Sequence, residues 1–512
     1  MASKFFLTRS LTLLAVIVTV LGVVALAGGS DPVQAAPAQQ APVCTWSSIA
    51  NSTINTFHTS TAYDPDNHKM YIYGGVDKDY AASGKVEVLD LSGAALSNAR
   101  QSALSAGGTL DLVGAAGAFR GGKGDLSAAY FLGGLQDPTS GQAGDAVQRY
   151  VPKTDTWSRP SVGNAAEFRA RFFASAAYDP GHDVIWVVGG VVNCALTDVM
   201  TGGTCNARSL PTQYLTFDAT TGDPTWHTLA GGDQSFYGTS MVYDEVGKRM
   251  VIYGGTGNIS SGDNRLLQLD LTDADVTKAS FKSLAATGSP PQVFFHGAAY
   301  DSVNKWMVSY GGVTRNFLKS NEAVNSDTWV LALGAGAPVW RNLRPNGDPK
   351  NRVGTVMGYS AKHSAVILAL GRDKTKQTIS ATPPTPEPIE SETVQRSSYA
   401  MVCVVPTATT PRPTTPVTPG TPGTATRPTP VTPTTPAPLP KEACAYLSGR
   451  VPPQAIADAL ANPSKVAGYG LLCNPNLAPS PYNVERSRLS LQSANKPYHP
   501  LYNGLVWSCG CP

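Results

Sequence analysis

Between about residues 43 and 405 the chain is a succession of short apolar runs, each broken by turn residues. Within that stretch one order of runs keeps returning. A small or apolar run ends in Tyr-Asp, a short polar turn follows, and a second apolar run ends in a Gly pair. It appears from His58 to Gly75 (HTSTAYDPDNHKMYIYGG), from Phe172 to Gly190, from Tyr237 to Gly255 and from Phe295 to Gly312. Two weaker copies run from Gly114 to Gly134 and from Gly354 to Arg372, the second with Arg in place of the last Gly. The pairs fall 55 to 65 residues apart, a repeat period long enough for one supersecondary unit.

Each copy reads as a β-hairpin. Asp-Pro-x-x-His-Lys and Asp-Glu-Val-Gly-Lys are turn sequences between β-rich runs, and a Gly pair lets the chain leave the second strand at positive φ. A second hairpin follows in most copies, as in Ala146 to Pro160, Gln213 to Leu229, Leu266 to Leu284 and Asp327 to Leu343. Trp157, Trp226 and Trp340 hold equivalent places in these, with Phe281 standing in once. Four strands per repeat with a large aromatic on the fourth describe a propeller blade, so the expected fold is all-β and six-bladed.

Tyr-Asp, Gly-Gly, a hydrophobic strand and then Trp resemble the kelch repeat of the galactose oxidase-like propellers. The resemblance covers roughly 360 residues, 43–405. It implies a fold, and one fold hosts many activities. Ring closure then needs one more piece. The sixth repeat supplies three strands, Arg352 to Tyr359, Ser364 to Leu370 and Ser397 to Val405, before a Pro/Thr tract begins. Val43 to Ile49 carries Trp46 directly ahead of the first repeat and is expected to complete blade six, leaving no open sheet edge there. That pairing sets Cys44 beside Cys403 and predicts a disulfide, against the alternative of two buried free thiols. Cys194 and Cys205 flank one loop and are expected to pair locally. The rival reading is a metal pair, though no His or carboxylate cluster stands beside them in the sequence.

Composition refines the setting. Lys4 and Arg9 precede an apolar run from Leu11 to Ala27, and Val33-Gln34-Ala35 fits a cleavage site. Segment 1–35 is therefore a signal peptide or, if retained, an anchor. Either way the body lies outside the cytosol, secreted or at the cell surface. Eight cysteines in an exported chain point to disulfides. Charged residues are 15% with net charge +3, which gives no support for nucleic-acid binding. Residues 406–440 are a Pro/Thr-rich linker, semi-rigid and open to O-glycosylation. Residues 441–512 form a small module with a short helix expected at Pro453 to Leu460. Its Cys444, Cys473, Cys509 and Cys511 are read as two disulfide staples, with a four-cysteine zinc site as the rival.

For function, the turns inside each first hairpin are tight, so one face of the ring is plain. The other face collects the long connections Val191 to Thr212, Val313 to Asp327 and Asp373 to Gln395, and binding sites favour such loops. His58, Arg171, Phe236, Phe294, His296 and Arg352 enter the inner strands from that face. They are read as a polar and aromatic ligand rim, with loop support and inter-blade packing as the competing role. No cofactor or metal is expected from the scattered histidines. The expected role is an extracellular binding or scaffold protein that holds a protein or glycan on the long-loop face, rather than an enzyme. The alternative is a sugar-modifying propeller enzyme, a copper radical oxidase or a sialic-acid mutarotase-like protein. The oxidase needs a free Cys to cross-link to Tyr, which full pairing would not leave. Ser326-Asp327-Thr328-Trp329 matches the sialidase Asp box only superficially.

Overall fold

A computed structural model describes residues 42–404, apart from 197–204, 318–321, 335 and 374–393. The expectations for segments 1–35, 406–440 and 441–512, with Cys444, Cys473, Cys509, Cys511 and the helix, lie outside the described residues. The described chain folds into six four-stranded antiparallel sheets, the blades of a propeller.

Blade one is built from Ser60–Asp64, Lys69–Tyr73, Val86–Asp90 and Arg100–Ala103. Blade two uses Ala116–Arg120, Ala128–Leu132, Val147–Val151 and Thr156–Ser158. Blade three uses Ser175–Asp179, Val184–Val188, Gln213–Phe217 and Pro224–Thr228. Blade four uses Tyr237–Asp244, Arg249–Thr256, Leu266–Asp270 and Ser280–Ser283. Blade five uses Gly297–Asp301, Trp306–Tyr310, Thr328–Ala332 and Val339–Asn342. In blade six, Val356–Ser360, Ala365–Ala369 and Ser397–Val404 are followed outward by Val43–Asn51, the first strand of the chain. One stretch read as loop, Val313 to Asp327, contains a small hairpin of Val313–Arg315 with Ala323–Val324.

The recurring residues have identifiable physical work. The Asp of Tyr-Asp caps the tight turn after it. Asp64 Oδ1 accepts from the Asp66 and Asn67 amides, and Asp301 Oδ1 from those of Val303 and Asn304. The Gly pair joins blades. The amides of Gly75, Gly134, Gly190, Gly255 and Gly312 donate to carbonyls of the next blade at Leu112, Arg171, Phe236, Val293 and Arg352. A Cβ on Gly189 or Gly254 would stand 2.5 Å from the Phe236 or Val293 carbonyl oxygen, so no larger residue allows that approach.

Blade six corrects the register read from sequence. Leu370, at φ 52°, and Gly371, at φ 100°, take the places of the Gly pair. Arg372 follows the pair instead of completing it. It bridges Val353 as Val76 bridges Phe57 and Val313 bridges Phe294 in other blades.

The outer strands share a second device. The Trp226, Trp340 and Trp46 backbone amides donate to the carbonyls of Gly163, Thr287 and Asn346, each in the connection entering that blade. Trp46 thus occupies the outer-strand position of blade six. The register sets Cys44 opposite Cys403, and the two are joined by a disulfide across 359 residues of sequence. Beyond Asn51 the chain crosses to blade one over the buried Glu87 carboxylate, which accepts from Ser52 Oγ at 2.6 Å and the Ile54 amide at 3.0 Å. Cys194 and Cys205 form the second disulfide. Two such bonds fit an oxidising, extracytoplasmic compartment. Among the described residues no helix is long and apolar enough to cross a membrane.

Candidate functional site

The axis of the propeller is closed near its long-loop face by six equivalent residues, one per blade, all at positive φ. They are His58, Gly114, Phe173, Gly238, Phe295 and Gly354. Around this ring each amide donates to the carbonyl of the preceding member: Gly114 to His58, Phe173 to Gly114, Gly238 to Phe173, Phe295 to Gly238, Gly354 to Phe295 and His58 to Gly354. Six bonds of 2.7 to 3.2 Å therefore close a circle of backbone. Large and small side chains alternate. Each glycine lies under the ring of the next blade, and a Cβ on Gly354 would meet His58 Nδ1 at 2.6 Å. The imidazole of His58 and the rings of Phe173 and Phe295 meet at centroid distances of 4.5 to 5.0 Å and form a plug.

Above the plug lies an apolar cluster that includes Phe57, Phe172, Phe294, Phe317 and the Cys194–Cys205 bond. A buried ion pair sits within it. Arg372 donates to Glu322 through Nη1 at 3.0 Å and Nη2 at 2.7 Å, and both side chains are fully buried. The Arg372 guanidinium also lies 5.5 Å from the Phe57 ring and 5.2 Å from the Phe317 ring. Burial works to lower its pKa, but the Glu322 carboxylate overrides this and the net shift is upward.

The six residues expected at a ligand rim are all buried, at 5% exposure or less. His58 is part of the plug, and burial, then the Arg372 charge, hold its pKa well below the usual histidine value. Phe294 packs in the cluster above it. Arg171 and Arg352 hold corresponding places in blades three and six and tie backbone together. Arg171 donates to the carbonyls of Arg169, Gly189 and Pro211, and Arg352 to those of Pro349 and Leu370. Burial lowers both guanidinium pKa values to about 10. Phe236 packs between blades under Arg265, whose guanidinium stands 4.5 Å from the ring. His296 lies between Gly254 and Gly312 beside the Tyr253 ring; burial pushes its pKa to about 3, and neither ring nitrogen has a hydrogen-bond partner. The structure brings His58 and Phe294 to the plug and the cluster above it, places His296 with His58 in the lining of the axial well, and leaves Arg171, Phe236 and Arg352 in the walls between blades.

Two concavities stand out among the described residues. One is an axial well of about 170 Å³ beneath the plug, lined by the first residues of all six inner strands. The other, about 530 Å³, lies on the long-loop face of blade one. It is walled by Asn55 and Thr56, by Asp77 and Lys78, by Ala82 to Lys85, and by Ala106, Thr109 and Asp111. Lysines and carboxylates both line it, and the Asn55 Oδ1 atom is buried without a partner. The sequence reading missed this cleft, because its residues come from three loops with no common pattern. It also missed the plug, although Phe172-Phe173 and Phe294-Phe295 stand in register before their inner strands. No group of three or more His, Cys, Asp or Glu among the described residues is placed to hold a metal ion.

No protein-family model matches the chain. Over 108 residues it is 30% identical to Adagio-like protein 3 of Oryza sativa subsp. japonica, a match spanning 21% of this chain and 15% of that protein. Among solved structures, the one titled "Structure of YjhT" aligns with a TM-score of 0.47 and 17% identity, over 64% of this chain and 93% of that one. The blade count rests on the strand order above.

Proposed function

We propose that this chain is an exported binding protein of the kelch propeller type, which uses the long-loop face to hold a protein or glycan ligand. The observation that carries the reading is the cleft on blade one. Its three loops leave a four-stranded blade fixed on both sides by neighbouring blades, so the site is rigid while its lining is free to vary. Side-chain hydroxyls of Ser83 and Thr109, the Asn55 amide, and charges of both signs at Lys85 and Asp111 offer donors and acceptors together. That mixture suits a polar, uncharged or mixed-charge partner. The export signal read at 1–35 and the disulfides support a role outside the cytosol.

The test is a glycan array and a pull-down with the exported chain, repeated with Asp111→Ala and Lys85→Ala. Binding that both substitutions weaken supports the reading. Binding indifferent to both, or oxidation of sugars after copper loading, overturns it.

A further inference from the structure

We propose that the axial well is a second binding site, separate from the blade-one cleft, and that it takes one neutral sugar ring entering from the tight-turn face. The walls come first. Ser60–Asp64, Ala116–Arg120, Ser175–Asp179, Tyr237–Asp244, Gly297–Asp301 and Val356–Ser360 are each the terminal strand of their sheet, so each turns a free backbone edge to the axis. Such an edge presents unpaired N–H and C=O groups. Six of them facing one another make a tube of alternating donors and acceptors. The serine hydroxyls along it are already engaged across blades, Ser175 with the Thr239 carbonyl at 2.7 Å and Ser240 with the His296 carbonyl at 2.8 Å. Apart from the Ala115, Thr239 and His296 carbonyls that serines occupy, the peptide edge remains for a ligand, and hydroxyl groups match it well because each both donates and accepts.

Charge and size narrow the class. No Asp, Glu, Lys or Arg lines the well, so an ion entering it would lose its hydration with no countercharge. The floor is the plug, and His58 is its one polar member. It is 4% exposed with its Nε2 atom buried among rings, and it stands where the other two blades of the triad place Phe173 and Phe295, so the floor is closed and nearly apolar. The volume of about 170 Å³ has room for a single sugar ring.

The mouth agrees with this. Two residues beyond Thr61, Ala176, Met241 and Ala298 the inner strands carry Tyr63, Tyr178, Tyr243 and Tyr300 on the same strand face, all half-buried, with Phe119 at this place in blade two. Two of the hydroxyls donate to turn carboxylates, Tyr178 to Asp183 at 2.9 Å and Tyr300 to Asp244 at 3.2 Å. The rings themselves pack against the clusters between blades, so the mouth is rimmed by half-buried aromatics.

The experiment titrates the full chain with methyl glucoside, methyl galactoside and methyl mannoside, and with glucuronate and glucosamine as charged counterparts. Calorimetry and saturation-transfer NMR supply the readout. The variants are Ala298→Leu and Ala176→Leu, which narrow the well from two different blades, with Asp111→Ala marking the other cleft. Circular dichroism shows that each variant is folded, and two narrowing variants guard against the loss of one. At least one neutral glycoside is expected to saturate with a dissociation constant on the order of millimolar, at least about tenfold weaker in either Leu variant. Asp111→Ala should leave that binding unchanged, and the charged sugars should bind at least about tenfold less tightly. Three results would overturn the proposal: no neutral glycoside binds and soaked crystals show only water in the well; the Leu variants bind unchanged; or Asp111→Ala abolishes binding, which would assign it to the blade-one cleft.

Discussion

Acid should destabilise this propeller through His296 before its carboxylates are affected. The ring is 5% exposed, lies between two glycines of adjacent blades and is neutral in the fold, with a pKa pushed by burial to about 3. In the unfolded chain it returns to about 6.5. The native state therefore binds fewer protons between these values, so the stability this group contributes is complete above pH 6.5 and is lost as pH falls toward 3. Integrating the difference gives a loss of about 2 kcal/mol between pH 7 and pH 5, and about 3 kcal/mol by pH 4. His58, shifted the same way, adds to the loss with the same sign. The assay is urea unfolding at pH 7 and pH 5 for the parent and for His296→Phe, which keeps a ring beside Tyr253. The parent should lose about 2 kcal/mol more than the variant over that interval, because every other titrating group is common to both. Equal losses would refute the reasoning, as would an NMR titration of the His296 ring near pH 6.5.

Other consequences follow from the closure of the ring and from the plug. Replacing Cys44 and Cys403 by Ser should lower stability by about 5 kcal/mol, because the bond spans 359 residues, measured by denaturant midpoint against the oxidised parent. Gly114→Ala should cost at least about 2 kcal/mol, since the new Cβ enters the Phe173 ring at a positive-φ site. Gly108→Ala, also at positive φ but with nothing near its Cβ, should cost only about 1 kcal/mol, so the difference in midpoints isolates the clash. Arg372→Val takes the countercharge from the buried Glu322 and should cost about 3 to 5 kcal/mol, most of it recovered in Arg372→Val with Glu322→Leu. Val at that position is what blades one, three and five already carry.

What was legible in the sequence is what repeats, and what was hidden is what departs from the repeat. Tyr-Asp and Gly-Gly were visible because four blades share the same turn cap and five the same close approach of backbones. The closing strand was visible for the same reason, since a missing Trp in one blade had to be matched by Trp46. The Leu370-Gly371 pair was misread by one residue because a Gly usually fills a left-handed position, and here Leu does. The six rim candidates prove buried, in keeping with the competing role of loop support and inter-blade packing. Arg171, Arg352 and His296 are polar residues at the end of an inner strand, and in isolation that reads as a lining. Only the packed ring shows that a guanidinium there is consumed by carbonyls of its own and adjoining segments. Alternation around the axis is the subtlest case, since His58, Phe173 and Phe295 face Gly114, Gly238 and Gly354 across a three-fold relation between pairs of blades. No single repeat contains that relation. It exists only when the circle closes, and for that reason the plug that separates the well from the long-loop face belongs to the ring as a whole. Opening it by substitution at one blade should loosen the backbone circle at both neighbours, because each member of the circle donates to one side and accepts from the other.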